Sequence, residues 1–251
     1  MIRRCWQWPT PILGGVFLVA IALLVGLGTW QVYRLQWKTA LITRIADQLT
    51  LPSIALPTAD DLDEAAARAG LDFRRVRVDG VFLHESERHW WRPSIGGLAG
   101  YHILTPLRRE TGEIVWIDRG WVPPELKEPA SRPLSQVTGV QHIEGITRLP
   151  VRRGIFTPEN NPDKNLWYTN DPQELIQGRL IQDRSADLAA TGAVFPLIVD
   201  SVSPVPGGHP VPGQTQITLN NPHLGYAITW YGLAFALTAV FLFYHWRPIR
   251  I

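Results

Sequence analysis

Two long runs without a formal charge, one towards each end, limit what this sequence can fold into. No Asp, Glu, Lys or Arg occurs from Cys5 to Tyr33, and none occurs between Asp200 and Arg247. Ile12 to Trp30 is apolar all round, and Tyr226 to Trp246 reads YAITWYGLAFALTAVFLFYHW. About 20 such residues in a helix cross a hydrocarbon core of roughly 30 Å. Tyr226, Trp230 and Tyr231 mark one interface of the second run, and Tyr244 and Trp246 mark the other. A cleaved signal peptide competes for the first run, but the run is too long for an h-region and no small-residue cleavage site follows it. A buried helix of a soluble protein competes for the second, and so long a stretch without a charge speaks against it.

Two spans put both termini on one side. Arg3, Arg4, Arg247 and Arg250 lie on the short flanks with no acidic residue among them, which makes that side the cytoplasm. Arg34, Lys38 and Arg44 have the opposite bias, but they open a long loop, and long domains translocate largely regardless of charge. The expected layout is a cytoplasmic N-terminus (1–10), a first transmembrane helix (11–33), a periplasmic β-rich domain with a helical entry segment (34–222), a second transmembrane helix (223–246) and a cytoplasmic C-terminus (247–251). The first run begins about ten residues into the sequence, which leaves no room for an Arg- and Ser-rich mitochondrial presequence. A bacterial cytoplasmic membrane is therefore the expected location.

The single cysteine, Cys5, permits no disulfide within the chain, so the external domain has to be held by its own core. The first helix is expected to continue beyond the membrane, because Leu35, Leu41, Ile42, Ile45 and Leu49 keep a helical spacing until Pro52 ends it. A short helix over Asp60 to Ala69, closed by Gly70, comes next. The pattern then switches to period two. Residues 73–83 alternate Val76 and Val78 against Arg75 and Arg77, with Gly80 as a bulge or tight turn. Further strands are predicted at 89–91, 101–107, 113–122, 140–149, 166–169, 196–202 and 215–219, and a short helix at 171–178 with Asp171 as its cap and Gly178 closing it. The fold class that results is a membrane protein. Two transmembrane α-helices, N- and C-terminal, flank an external, mainly antiparallel β domain, barrel- or sandwich-like, with a few short helices.

A net charge of +2 with scattered basic residues gives no reason to expect nucleic acid as a partner. Within the domain, HESERH at 84–89 spaces its two histidines five apart rather than four, so they do not share a helix face as a zinc-binding H-E-x-x-H requires. Asp118 and Arg119 read as a structural ion pair or rim contact. No nucleophile elbow, Walker loop or dinucleotide fingerprint is present, and the reading is of a protein that is not an enzyme.

The membrane borders carry more chemistry. Trp30, Arg34 and Trp37 sit at i, i+4 and i+7, flanked by Gln31 and Lys38. At the start of the second span, Asn220 or Asn221 is positioned to cap, Pro222 fits the first helical position, and His223 falls in the first turn with Tyr226 and Trp230 on its face. The positive end of the helix dipole disfavours imidazolium, and a neutral imidazole is what a metal centre such as haem iron takes. The competing reading is an interfacial histidine bonded to backbone or lipid, with the aromatics and cations as an interfacial belt. From the residues alone both stay open. His245, near the inner end, is a second candidate in poorer surroundings.

Five segments resemble the Surfeit locus protein 1 family of cytochrome c oxidase assembly factors, nearly end to end. They are LGTWQVYRLQWK at 27–38, RRVRVDGVF at 74–82, WIDRGWVP at 116–123, FTPENNPDKNLWYTNDP at 156–172 and NPHLGYAITWYGLA at 221–234. The first and last are the most specific, since generic anchors lack their fixed order of aromatic and polar residues. The resemblance implies a role in building haem-copper oxidase rather than running it, with transient binding of haem a and aid to its insertion into the catalytic subunit. The family's suspected ligand falls on His223, as the axial ligand of the haem iron. The roles of its neighbours are our own reading and no part of the resemblance: Tyr226 and Trp230 would pack the macrocycle, Arg34 and Lys38 would pair its propionates, and Trp30 completes the cofactor-binding set. Pro222, immediately before His223, is positioned to shift the ring. Implied partners are the catalytic subunit of the oxidase, the haem a synthesis machinery and membrane lipid. The alternative is a scaffold that holds an oxidase subunit during assembly without binding haem.

Overall fold

The computed structural model describes residues 2–6, 8–62, 70–151, 153–176, 193–215 and 219–250, with backbone alone for 2–6 and 247–250. The chain divides into two compact units, Met1–Arg44 with Thr218–Ile251, and Ile45–Ile217.

In the first unit, Thr10 and Pro11 start a helix, α1 (Pro11–Thr50), with the Thr10 hydroxyl accepting the Leu13 N–H at 3.4 Å. The helix runs unbroken past the apolar stretch and stops two residues before Pro52, whose ring disfavours helical backbone at the residue before it. Its 40 residues span about 60 Å, roughly twice a hydrocarbon core, so it continues beyond the apolar stretch as the sequence predicts. A second long helix covers His223–His245. Both are long and apolar enough to cross a membrane. Large apolar side chains along them face outward, with Leu18 at 66 %, Phe235 at 78 % and Phe243 at 75 % exposure, as lipid-facing surfaces require.

Two strands join the ends of this unit. β1 (Ile2–Trp6) pairs antiparallel with a strand over Trp246–Arg250, in a register that sets Ile2 against Arg250 and Trp6 against Trp246. The sequence assigns no element to either terminus.

The second unit is built on strands β2 (Ile54–Ala55), β3 (Arg75–Phe82), β4 (Arg88–Trp91), β5 (Tyr101–Arg108), β6 (Ile114–Val122), β7 (Val140–Arg148) and β8 (Val194–Ser201). The sheet order is β2-β3-β7-β8-β6-β5-β4, and β3 also pairs with β5. That extra pairing closes β3, β7, β8, β6 and β5 into a five-stranded barrel, with β2 and β4 added outside the ring. Taken in chain order, the ring runs 1-2-3-5-4-1, the connectivity of a Greek-key barrel of the OB type.

Alternation cannot be kept around an odd ring, so a closed five-stranded barrel needs at least one parallel pair. Here it is β6 with β8. The expected mainly antiparallel, barrel-like domain is what the structure has, with parallel pairing among the described strands confined to β6 with β8 and to β2 with β3. The bulge or turn expected at Gly80 is corrected. Gly80 stays in register opposite Gln141, and a Cβ there would lie 2.5 Å from the Arg108 carbonyl oxygen. The glycine is needed because β5 crosses close at the point of closure.

Side chains alternate between two cores. Val76, Val78, Phe82, Leu107, Val115, Ile117, Phe195, Leu197 and Val199 fill the barrel. Leu104, Trp116 and Ile198 point the other way and are covered by Trp90, Trp167 and Leu175. Every residue of β6 is buried, because both of its faces are covered. The cover comes from the segment around 166–176. The strand expected at 166–169 is instead a loop with an isolated bridge from Trp167 to Trp90, followed by α2 (Pro172–Ile176). The Asp171 carboxylate accepts the Gln173 N–H at 2.9 Å, the expected cap. Residues 177–178 of that helix, 63–69 of the helix expected over 60–69, and 216–218 of the expected last strand lie outside the described residues. The His223–His245 helix is α3 below, and the strand over Trp246–Arg250 is β9.

Candidate functional site

The two long helices of the first unit lie side by side and antiparallel. Phe17 stacks on Phe241 with ring centroids 3.9 Å apart. Further along, the Thr29 and Tyr231 hydroxyls are 3.0 Å apart, and a Cβ on Gly28 would come within 3.0 Å of the Tyr231 ring. Ala227 and Ala234 are buried on α3. Small residues at these positions let two apolar helices approach closely without a bulky seam.

At one end of this seam is an imidazole. His223 is the first residue of α3, and its Nδ1 lies 2.7 Å from the Gln31 Oε1 on α1. An amide oxygen only accepts, so Nδ1 carries the proton and donates it, and in the neutral tautomer this bond selects, Nε2 is the nitrogen that can bind. Nε2 has no hydrogen-bond partner among the described residues. Gln31 itself is buried. Such a partner fixes both tautomer and ring orientation, as second-shell groups do for metal-binding histidines. The α3 N-terminus adds to this. It has no side-chain cap and no acidic residue in its first turn, so no carboxylate of that turn competes for the ring.

The expected caps are corrected. Pro222 is the N-cap itself, so the helix begins one residue later than expected. Asn221 does not cap but donates from Nδ2 to the Thr39 hydroxyl at 3.2 Å. That bond crosses between the helices next to the His223–Gln31 pair and ties the entry of α3 to α1.

The other expected site residues divide by helix face. Phe17, Gly28, Gln31 and Thr39 lie on the side of α1 that meets α3. At about 100° per residue, Lys38 falls close to the direction of Gln31, two turns on, and it is half-buried. Trp30, Arg34 and Trp37 fall on the neighbouring face and are exposed. The Arg34 guanidinium sits 4.5 Å over the Trp37 ring, so that stripe is a cation–π pair on its own. On α3, Trp230 is half-buried and Tyr226 is 55 % exposed. His245 is buried at the far end of α3, with Nδ1 donating to the Phe241 carbonyl at 2.9 Å and rings of Phe241 and Tyr244 beside it.

The polar groups of the barrel unit form a separate network. The Asp118–Arg119 ion pair expected from sequence is corrected, because neighbours on a strand point to opposite faces. Asp118 meets His102, with Oδ2 2.7 Å from Nδ1, and Arg119 lies over Phe82 and donates to the Ser135 carbonyl. Burial lowers the Arg119 guanidinium to about 10. The histidines of HESERH are engaged separately. His84 Nε2 bonds the Val137 carbonyl at 2.7 Å, and His89 Nε2 bonds Glu87 at 2.9 Å. Burial pushes the Glu87 carboxyl up, but bonds from His89 and the buried Arg132 outweigh it and hold it below the usual range.

Glycine explains part of another motif. Gly120, with φ +122°, lies where a Cβ would come within 2.0 Å of the Val211 carbonyl oxygen, while Trp121 and Val211 exchange backbone bonds at 2.9 and 2.8 Å. In the segment 156–172, Asn160 is a clip. Its side chain accepts the Tyr168 N–H at 2.8 Å and donates to Thr169 and Glu174 at 2.8 and 2.7 Å. The sequence reading did not single out Asn160, and its only signal was an asparagine pair in a Pro-rich loop.

The profile of the SURF1 family matches residues 18–235. The chain belongs to the SURF1 family. Among its relatives, a SURF1-like protein of Monosiga brevicollis is 34 % identical over 246 residues, covering 92 % of this chain and 87 % of the relative. Surfeit locus protein 1 of Takifugu rubripes is 33 % identical, covering 94 % of this chain and 98 % of its own length. Surfeit locus protein 1 of Homo sapiens is 34 % identical, covering 88 % and 75 %. The stretch matched by the profile takes in most of both long helices and the whole barrel unit, so family membership extends to the Gln31–His223 pair and not only to the domain.

Proposed function

We propose that this protein is an assembly factor for haem-copper terminal oxidase that takes up haem a transiently and passes it to the catalytic subunit. The observation that carries the reading is the His223–Gln31 bond, which fixes the ring at a helix end with Nε2 without a partner among the described residues. Haem iron commonly takes such an imidazole as an axial ligand. In this reading His223 supplies one axial bond and Gln31 holds the ring. Trp230 and Tyr226 offer aromatic surface on the same helix, Lys38 offers a cation near the direction of Gln31, and Trp30 and Arg34 offer a second aromatic and cationic edge. A single histidine without an anionic partner suits a carrier that must release its cargo, and no chemical turnover is assigned to the chain.

The proposed setting is a bacterial cytoplasmic membrane with the barrel unit in the periplasm. Arg3, Arg4, Arg247 and Arg250 support cytoplasmic termini. Pairing of β1 with β9 supports placing both ends on one side. The proposed partners are the catalytic subunit of the oxidase and the haem a synthesis machinery.

The test is an absorption spectrum of the full chain purified from cells that make haem a. A Soret band in wild type that is lost in His223→Ala is expected. A wild type without the band overturns the carrier reading, and a band unchanged in His223→Ala overturns the ligand assignment. The second reading is a scaffold without haem. The Arg34–Trp37 pair on a face away from Gln31 favours it, because a ready-made cation–aromatic edge also suits a protein partner. Normal oxidase assembly with no Soret band at any stage would select it.

A further inference from the structure

A short turn in the barrel unit breaks the usual rule for turns. Gly154 to Thr157 closes on itself. The Thr157 N–H donates to the Gly154 carbonyl at 3.1 Å, and the Gly154 N–H donates to the Thr157 hydroxyl at 3.0 Å. The two central positions, normally taken by Gly, Asn, Asp or Ser, are Ile155 and Phe156. Each is 97 % exposed, the most exposed large apolar side chains among the described residues. The approach to the turn is also apolar, with Leu149 and Val151 at 40 % and 44 % exposure. Its base is fixed. The Leu149 N–H donates to Asp72 and the Val151 N–H to Asn170, at 3.0 and 2.7 Å. The turn is therefore a braced projection that carries two apolar side chains into solvent.

The chain running through the turn itself carries charge of one sign. From Gly145 to Pro158 the sequence holds Arg148, Arg152 and Arg153 and no Asp or Glu, and the first acid beyond is Glu159. Arg148 is occupied by Asp72 and the Phe73 ring, Arg153 is exposed, and Arg152 lies outside the described residues.

We propose that this turn is a membrane-dipping tip, which seats Ile155 and Phe156 in the acyl boundary of an anionic lipid surface with arginine at the phosphates. An apolar point with a cationic collar is the chemistry that such a surface recognises. Two projecting side chains offer far less area than the roughly 800 Å² a side of a stable protein interface. A bilayer needs no matching surface, and in a chain already held by two spans a weak added contact suffices. The inference does not depend on the cargo.

The experiment uses the full chain in nanodiscs, with Cys5→Ser and one introduced cysteine carrying an environment-sensitive fluorophore. The label is placed at Ile155→Cys, with Phe156 retained, and as a control at Glu128→Cys, where the side chain is 70 % exposed. In phosphatidylcholine discs with about a quarter phosphatidylglycerol, the label at 155 is expected to shift to the blue. It should be quenched by a lipid-phase quencher and protected from iodide, while the control stays in water. Phe156→Ser and Arg153→Glu should each reduce the shift, and pure phosphatidylcholine should give a smaller one. Neither side chain is packed in the fold, so loss of structure does not confound the result. A label at 155 that stays water-exposed in both lipids overturns the proposal. So does a shift seen only in native membrane vesicles, which would assign the tip to a protein partner, and so does a shift of equal size in pure phosphatidylcholine that Arg153→Glu leaves unchanged.

Discussion

His223 and Gln31 are 192 positions apart and meet at 2.7 Å. The histidine was legible in the sequence as an imidazole among aromatics where an apolar run begins. Its partner was visible only as a polar residue beside a stripe, because nothing local says which α1 residue α3 will face. The pair makes a graded prediction. If His223 takes haem as proposed, Gln31→Leu should leave the helices intact but free the ring to rotate, lowering haem occupancy by roughly 10- to 100-fold, the usual effect of losing a group that orients a ligand. Titration of the Soret band measures it, and occupancy equal to wild type would remove Gln31 from the site. Gly120 makes a different residue-scale prediction. With φ +122° and a carbonyl oxygen 2.0 Å from its missing Cβ, Gly120→Ala should cost roughly 2–4 kcal/mol, read as a lowered unfolding midpoint. Arg132→Met should cost about 3–5 kcal/mol, because it strips a buried Glu87 of the cation that bonds it and leaves His89 as its remaining side-chain bond.

At the scale of elements, the two long helices were read well and the strands unevenly, for physical reasons. Val76 and Val78 alternate with Arg75 and Arg77 because β3 has a solvated face, so period two showed there. β6 is buried on both faces and reads as an apolar run whose inward side cannot be told from sequence, which is why Asp118 and Arg119 were paired with each other. The 166–169 segment looked like a strand because Leu166, Trp167 and Tyr168 are large and apolar, yet it is a loop from which Trp167 packs on Trp116. The antiparallel packing of α1 on α3 is testable by itself. Phe17→Cys with Phe241→Cys, in a Cys5→Ser background, should cross-link through a short thiol-reactive spacer, whereas Phe17→Cys with Leu224→Cys should not, since α3 presents its other end there. Gly28→Leu should weaken that cross-link by pushing on the Tyr231 ring.

For the whole molecule, the barrel has a built-in response to pH. Asp200 is pushed up to about 6 by burial and by the Asp118 charge, against the pull of Arg148, a Thr215 hydroxyl bond and His102. An acid whose folded value lies above its unfolded value holds more protons folded than unfolded between the two. Stability therefore falls as pH climbs from about 4 to about 6, and it stays lower above that. Asp200 keeps some contact with solvent, so the effect is about 1 kcal/mol rather than that of a sealed carboxyl. Asp200→Asn should raise the midpoint at neutral pH and flatten this window, as thermal melts at a series of pH values would show. A mutant with the wild-type slope would place the proton elsewhere.

The strand pair β1–β9 has a consequence for how the chain is made. Ile2 leaves the ribosome well over 200 residues ahead of its partner Arg250. Loop closure over such a distance comes after local structure, not before it. Until synthesis has passed α3, α1 stands without its neighbour, and the barrel has time to fold between the insertion of the two helices. The imidazole pair can form only in that final step, so a truncated or stalled chain never presents His223 to Gln31.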